Sequence, residues 1–220
     1  MRLVAHRHPG RLERQAGMSL VEVVIGGAIL VVLLSTAVVA ANGGLGAFRA
    51  TQDTTDLETR VRRALDRLAL ELLSSARSEL SPNPSGQFGT SELQFSKVVG
   101  LTGTTPDFGP PNRIAFEYER RELDDGLDND GNGLIDDGQL VLTRSVGANE
   151  RRVVLCHGVR ELLEGEEANG ADDNGNGIKD EAGFNAHRVD NVLFLRLSLE
   201  ARGENGPIVR TLETSVRLRN

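Results

Sequence analysis

The 220-residue chain contains no tryptophan, one tyrosine and one cysteine. A single cysteine cannot form a disulfide within the chain. Aromatic residues make up only 4% of the sequence, which predicts a modest hydrophobic core. The net charge of −7 at pH 7 argues against a nucleic-acid partner, because nucleic-acid-binding proteins usually carry an excess of basic residues. The length fits one folded domain with additional segments.

Common motifs of catalytic sites are also missing from the sequence. Neither a phosphate-binding glycine loop nor the ligand spacing of a zinc site occurs. Cys156 and His157 are neighbours on a predicted strand, where successive side chains point to opposite faces, so they are not expected to act as a catalytic pair. Cys156 is expected to be a small buried apolar residue. We therefore predict no enzymatic activity.

Charged residues are unevenly distributed along the chain. Residues 1–17 carry four arginines against one glutamate. Residues 122–137 contain seven acidic residues and no lysine or arginine, and residues 164–181 contain seven acidic residues and one lysine. The acidity of the protein therefore belongs to two short segments and requires a local explanation.

A long apolar run follows the basic N-terminus. Residues 23–41 contain no charge, and as a helix they span roughly 29 Å, close to the hydrocarbon thickness of a bilayer. Basic residues precede the run, which predicts a cytoplasmic N-terminus and an exported C-terminal part. Glu22 stands immediately before the run, although a carboxylate at the bilayer centre costs about 2.5–3.5 kcal/mol on insertion scales.

Three interpretations of this segment are possible. It is typical of a cleaved secretory signal peptide with its cut near residues 38–41, or of a plain signal anchor whose Glu22 reaches the headgroups. Alternatively, the stretch "AGMSLVEVVIGGAILVV" resembles the class III leader of type IV pilins and type II secretion pseudopilins. In that family a basic leader ends in glycine, a prepilin peptidase cuts after it and methylates the new N-terminus, and the fifth mature residue is glutamate. Gly17, Met18 and Glu22 match these positions.

The resemblance implies an organisation for the N-terminal part. Residues 1–17 are the cleaved leader, and residues 18–41 form a helix that crosses the bacterial inner membrane once and later joins the filament core. The exported domain then lies in the periplasm, and the partners are the prepilin peptidase and other pilin or pseudopilin subunits. In the filament, the Glu22 carboxylate meets the amine of Met18 on the same or an adjacent subunit, which makes its burial tolerable.

The exported part is expected to combine a helix with strands. Glycines in "ANGGLGAF" predict an interruption of the apolar helix, after which residues 42–80 supply an amphipathic outer half. Apolar residues recur there at helical spacing within residues 51–80. They are Leu57, Val61, Leu65, Leu68, Leu72 and Ala76. Residues 81–220 contain six short, partly alternating segments separated by turn residues. The predicted fold class is therefore α+β, with a long N-terminal helix packed on an antiparallel sheet, as in pilins.

The order of these segments resembles one subfamily. The succession "SELQF", "NRIAFEY", "GQLVLTRSV" and "VVLCHGVRELL" resembles the J-type minor pseudopilin of type II secretion or the W-type minor pilin. This implies a minor pseudopilin that assists protein export, with a minor pilin of a type IV pilus as the alternative. A membrane-tethered calcium-binding adhesin that never polymerises is an alternative of another class.

Two acidic loops repeat each other in sequence. "GLDNDGNGLIDD" in the first acidic loop (residues 124–139) aligns without gaps with "GADDNGNGIKDE" in the second acidic loop (residues 168–183). Both are expected at hairpin connections. The alternating oxygen-bearing residues around a glycine resemble an EF-hand-type Ca²⁺ loop. The predicted ligands of the first acidic loop are Asp128, Asp130, Asn132, Leu134, Asp136 and Asp137. Those of the second acidic loop are Asp172, Asn174, Asn176, Ile178, Asp180 and Glu181.

Both loops depart from an EF-hand. The bidentate glutamate of position twelve is replaced by Gln139 or Gly183, and no flanking helices are predicted. The alternative is a solvated acidic turn, since Asp, Asn and Gly favour turns for conformational reasons alone. Seven crowded acids that recur in the same register favour Ca²⁺, with weaker binding in the second acidic loop because it has Asn174 for Asp130 and carries Lys179.

Overall fold

The computed structural model describes residues 17–86, 88–203 and 206–218. Residues 1–16, which hold most of the predicted leader, lie outside this range. The chain divides into two units, Met1–Phe48 and Arg49–Asn220. The described elements are one α-helix, one short 3₁₀ helix and nine strands. Their bounds are α1 (Leu20–Leu72), the 3₁₀ helix (Arg77–Glu79), β1 (Glu92–Phe95), β2 (Val98–Thr102), β3 (Thr105–Phe108), β4 (Asn112–Tyr118), β5 (Gly138–Arg144), β6 (Arg151–Val159), β7 (Phe184–Val189), β8 (Val192–Gly203) and β9 (Gly206–Arg217).

The first part of α1 is apolar and exposed. It contains an 18-residue window with a mean hydropathy of 2.7, none of which is buried. By length and composition this helix is compatible with crossing a membrane once. An apolar surface of this size is unusual for a soluble monomer, so a lipid or protein environment is expected around it.

The predicted interruption of the helix is wrong. α1 continues through Gly43, Gly44 and Gly46. Glycine costs about 1 kcal/mol relative to alanine in a helix interior, but it still makes the backbone hydrogen bonds of the helix. Extension of a helix that has already nucleated is cooperative, so the helical residues on both sides of the glycines favour continuation.

The amphipathic second part of α1 packs in the core of the second unit. The predicted stripe is confirmed, because Leu57, Val61, Leu65, Leu68 and Leu72 are all at most 2% exposed. The helix ends at Leu72 and not at Leu80 as predicted. The backbone turns away there because the Ser74 carbonyl accepts from the amide of Val98 and the Ser75 hydroxyl donates to the Ser96 carbonyl. Pairing of Ser75 with Lys97, in the segment that leads from β1 into β2, therefore replaces the last two helical turns.

The main sheet is antiparallel, which confirms the α+β class. Its order is β1-β4-β5-β6-β8-β7, and β9 pairs with β8. The predicted apolar face of β8 is fully buried, since Leu193, Leu195, Leu197 and Leu199 are 0% exposed. Two features were not predicted: strand β7, and the separate β2–β3 hairpin. In "FNAHRV" the alternation of apolar and polar residues covers only four positions and is lost at the adjacent polar residues His187 and Arg188, so its pairing with β8 was not evident from the sequence.

Candidate functional site

The two acidic loops occupy different kinds of connection. The first acidic loop joins β4 to β5, which are antiparallel neighbours, as predicted for a hairpin. The second acidic loop joins β6 to β7, which are not paired with each other, because both pair with β8. The segments that flank the second acidic loop still pair antiparallel at Leu162 and Ala182, so the hairpin prediction holds for the neck of this loop but not for the strands β6 and β7. The bond from the Leu163 amide to the Glu181 carbonyl there corresponds, 44 residues earlier, to the bond from the Glu119 amide to the Asp137 carbonyl.

In the first acidic loop, side-chain oxygens accept hydrogen bonds from the backbone amides of the same loop. The Asp128 carboxylate accepts from the amides of Gly131 and Gly133, at 2.7 and 2.9 Å. Asp130 accepts from the amide of Asn132 at 2.9 Å, and the Asn132 side-chain oxygen accepts from the amide of Leu134 at 2.7 Å. Gly133 has a φ of +91°, a left-handed conformation that glycine adopts without strain. The predicted glycine turn is thus confirmed.

The second acidic loop repeats this hydrogen-bond pattern 44 residues later in the sequence. The Asp172 carboxylate accepts from the amides of Gly175 and Gly177, at 2.8 and 2.7 Å. The Asn174 side chain accepts from the amide of Asn176, and the Asn176 side chain accepts from the amide of Ile178. The φ of Gly177 is also +91°. The alignment of the two loop sequences therefore corresponds to one local structure formed twice.

Asp136 and Asp180, two of the predicted ligands, close the necks of the loops. The Asp136 carboxylate accepts from the amides of Asp125 and Gly126, at 3.2 and 2.9 Å. Asp180 accepts in the same way from the amides of Asn169 and Gly170, at 2.9 and 2.8 Å. Their φ angles, +50° and +45°, are left-handed.

A glutamate that the sequence analysis missed lies ahead of each loop. Glu122 is only 4% exposed, and its Oε1 accepts from the amide of Asp130 at 2.7 Å. Carboxylate oxygens of Glu122, Asp128 and Asp130 all lie within 4.8 Å of one another, close enough to hold one metal ion. Glu166 is 7% exposed, and its Oε1 accepts from the amide of Asn174 at 3.1 Å. The signal that could have found both residues is the 44-residue register, which extends upstream of the aligned segments.

The last acid of each loop is buried, but the two acids differ in their charged neighbours. Asp137 is 2% exposed and accepts from the Asn132 side-chain amide at 3.1 Å. Burial raises the pKa of Asp137 to about 6, opposed by that hydrogen bond and assisted by nearby carboxylates. Glu181 is 0% exposed and pairs with the guanidinium of Arg196 at 2.5 Å. The first acidic loop therefore concentrates negative charge, whereas the second offsets part of it with arginine.

A second acidic cluster combines two residues of the first acidic loop with Glu161. Oxygens of Asp124, Asp136 and Glu161 lie within 4.8 Å of one another. Burial raises the pKa of Glu161, and the charges of the other two residues raise it further. Among the residues that the structure describes, these carboxylates form the second cluster that could hold a metal ion.

The residues that resemble a prepilin leader, Gly17, Met18 and Glu22, lie at the start of α1 or just before it. Gly17 and Met18 are exposed and precede the helix. Glu22 Oε2 accepts from the amide of Ser19 at 2.9 Å, and the Ser19 hydroxyl oxygen accepts from the amide of Val21 at 3.2 Å. These reciprocal bonds form a capping box at the helix N-terminus. The capping box, whose sequence signature is "SLVE", gives Glu22 a local role that the sequence analysis did not predict.

Cys156 and His157 lie on opposite faces of β6. Cys156 is buried as predicted, and burial raises the pKa of its thiol to about 12. His157 points away from it and lies 2.8 Å from a Glu119 oxygen. On the arginine-rich part of α1, Arg62 pairs with Glu58 at 3.0 Å.

Comparison of the chain with protein-family models, with curated proteins and with solved structures finds no match.

Proposed function

We propose that the chain is a membrane-anchored subunit of a type IV pilin-like filament, foremost a minor pseudopilin of a type II secretion system, with Ca²⁺ bound in its two acidic loops. The observation that carries this proposal is the exposed apolar start of α1. Gly17 stands just before the helix and Glu22 lies in its first turn, at the spacing of a prepilin leader. An apolar helix of this length, followed by a buried amphipathic stretch on an antiparallel sheet, suits a subunit that leaves the membrane to join a bundle of helices.

The position of Glu22 serves both capping and assembly. After cleavage at Gly17, the new amine belongs to Met18, one residue before the amide that Glu22 already accepts from. A carboxylate in this place can therefore reach an amine on its own or an adjacent subunit. In a helical bundle without water, that pairing offsets the cost of burying the charge.

The choice of Ca²⁺ as the bound ion follows from the oxygen ligands that the two loops offer. Carboxylate, amide and backbone carbonyl oxygens are the ligands of hard cations, and an irregular shell of six to eight of them suits Ca²⁺ better than Mg²⁺. In the first acidic loop, Asp128, Asp130, Asn132, the Leu134 carbonyl and Asp137 are the proposed donors. An ion there supplies charge that opposes the crowded carboxylates, so it holds the loop shut and stabilises the exported domain.

Substitution of Gly17 tests the processing. In cells that express the full chain, Gly17→Leu is expected to leave the uncleaved precursor in the inner membrane, because a side chain at the cut crowds the peptidase. The wild type is expected to begin with N-methylated Met18, as seen by mass spectrometry of the intact protein. Gly10→Leu is the matched control within the leader and should be cleaved normally. Normal maturation of Gly17→Leu, or a mature N-terminus near residue 41, would contradict the proposal.

Substitution of Glu22 separates its charge from its capping role. Glu22→Gln keeps an oxygen that caps the helix but loses the charge, whereas Ser19→Ala keeps the charge and removes the serine half of the capping box. Both variants should be cleaved, but only Glu22→Gln should be recovered at least tenfold less in sheared filaments, relative to its membrane pool. Equal recovery of Glu22→Gln and wild type would limit Glu22 to capping. Absence of wild-type protein from filaments would favour the tethered adhesin.

A further inference from the structure

We infer that Glu122 and Glu166 bind the metal ion directly and supply the acidic ligand that each loop lacks at its end. This inference rests on the proposed Ca²⁺ binding and names the ligand that completes each shell. The first observation is that each glutamate has a buried carboxylate oxygen without a hydrogen-bond partner. Both glutamates are more than nine-tenths buried, and the Oε2 of each has no hydrogen-bond partner among the residues that the structure describes.

An unsatisfied carboxylate oxygen in such a position is costly. Burying a polar atom without a hydrogen bond loses the interaction that it had with water, and the loss is greater when the group is charged. The same arrangement occurs twice, 44 residues apart, each time with the other oxygen held by a backbone amide of the loop. A cation beside the free oxygen would remove this cost at both places.

The distances in the first acidic loop fit one ion. Ca²⁺ lies about 2.3–2.6 Å from its oxygen ligands, so two ligands of one ion are at most about 5 Å apart. Oxygens of Glu122, Asp128 and Asp130 satisfy this limit. Because Glu122 Oε1 accepts from the amide of Asp130, the glutamate is fixed against the residue that carries the next ligand.

The position of the glutamates also explains the incomplete ends of the loops. An EF-hand closes its shell with a glutamate at position twelve, where this chain has Gln139 or Gly183. Gly183 cannot be replaced by such a residue, because a Cβ there would lie 1.7 Å from the Arg160 carbonyl oxygen. In each loop, a glutamate six residues before the first predicted ligand, Asp128 or Asp172, takes over this role from the other side.

The test is calcium titration of the purified full-length chain in a non-ionic detergent. Calorimetry of the wild type with CaCl₂ is expected to show two sites. Glu122→Gln, which keeps the Oε1 acceptor and the size of the side chain, should weaken one site at least tenfold and leave the other unchanged. Glu166→Gln should weaken the other site to the same extent. Glu167→Gln changes the same charge on an adjacent, exposed residue and should change neither affinity by more than about twofold.

The possible outcomes separate this inference from the proposed function. Two wild-type sites that both substitutions leave intact would overturn the inference and leave Ca²⁺ binding standing. No calcium heat in the wild type would overturn both. If either glutamine variant fails to fold, crystals of the wild type grown with CaCl₂ decide the question. An ion within about 2.6 Å of Glu122 Oε2 supports the inference, and an ion bound elsewhere in the loop contradicts it.

Discussion

Removal of calcium is expected to lower the melting temperature of the full-length chain by about 10 °C or more. An ion that binds only the folded state stabilises it by about 2.7 kcal/mol at one hundred times its dissociation constant, so two ions contribute about 5 kcal/mol. For a domain of this size, each kcal/mol corresponds to roughly 2–4 °C. Circular dichroism with excess CaCl₂ and with EDTA measures the difference, and MgCl₂ should replace CaCl₂ poorly because Mg²⁺ demands a tighter octahedron.

Paired substitutions should divide this effect unequally between the loops. Asp128→Ala with Asp130→Ala is expected to abolish the larger part of the calcium-dependent shift. Asp172→Ala with Asn174→Ala should abolish the smaller part, because Arg196 already offsets charge in the second acidic loop. These residues also accept backbone hydrogen bonds, so each variant is compared with the wild type in EDTA, where only the hydrogen bonds matter. A melting temperature that ignores both CaCl₂ and EDTA would reduce the loops to acidic turns.

The sequence predicted those features that repeat with a fixed period. Helical spacing placed Leu57, Val61 and Leu65 on a buried stripe, and alternation placed Leu193 and Leu195 on a buried strand face. Both patterns reflect contact with one common core, so they are visible without knowledge of the partner surface. The register between the two acidic loops was visible because the same set of local hydrogen bonds is formed twice, and the turns it predicted are present.

Features that depend on helix cooperativity or on contacts distant in sequence were not predicted. The glycines at 43, 44 and 46 lower helix propensity, yet the helical residues on both sides favour a continuous α1. Glu122 shares only the 44-residue register with Glu166 as a sequence signal, and its burial beside Asp130 became visible only in the structure. Strand β7 is defined by pairing with β8 along its whole length. Tertiary contacts decide the outcome for Glu122 and β7, whereas the continuous α1 is a local, cooperative effect that single-residue propensity does not capture.

Glu71 also depends on contacts distant in sequence. Its replacement by glutamine is expected to destabilise the domain by about 2–3 kcal/mol. The carboxylate is 4% exposed and pairs with Lys97, with Arg144 at 2.5 Å and with Arg67 at 3.0 Å. It thus joins α1 to β5 and to the segment between β1 and β2. Loss of one partner from a buried ion pair costs about 3–5 kcal/mol, and the partial exposure of the three cations reduces this figure. A fall in melting temperature of roughly 5–10 °C should follow.

The pH dependence of the stability difference between wild type and Glu71→Gln tests whether the charge of Glu71 causes the stabilisation. Burial alone raises the pKa of Glu71, but hydrogen bonds from Lys97 and Arg144 outweigh it and hold the pKa below its ordinary value of 4.5. A lowered folded-state pKa means that the contribution is complete above pH 4.5 and declines as pH falls toward the folded value. Measured in EDTA, the gap between wild type and Glu71→Gln should therefore be constant from pH 7 to 5 and shrink below 4.5. Glu58→Gln, which breaks an exposed pair with Arg62, should cost less than about 0.5 kcal/mol. A gap that persists unchanged in acid would show that Glu71 acts through its shape and not through its charge.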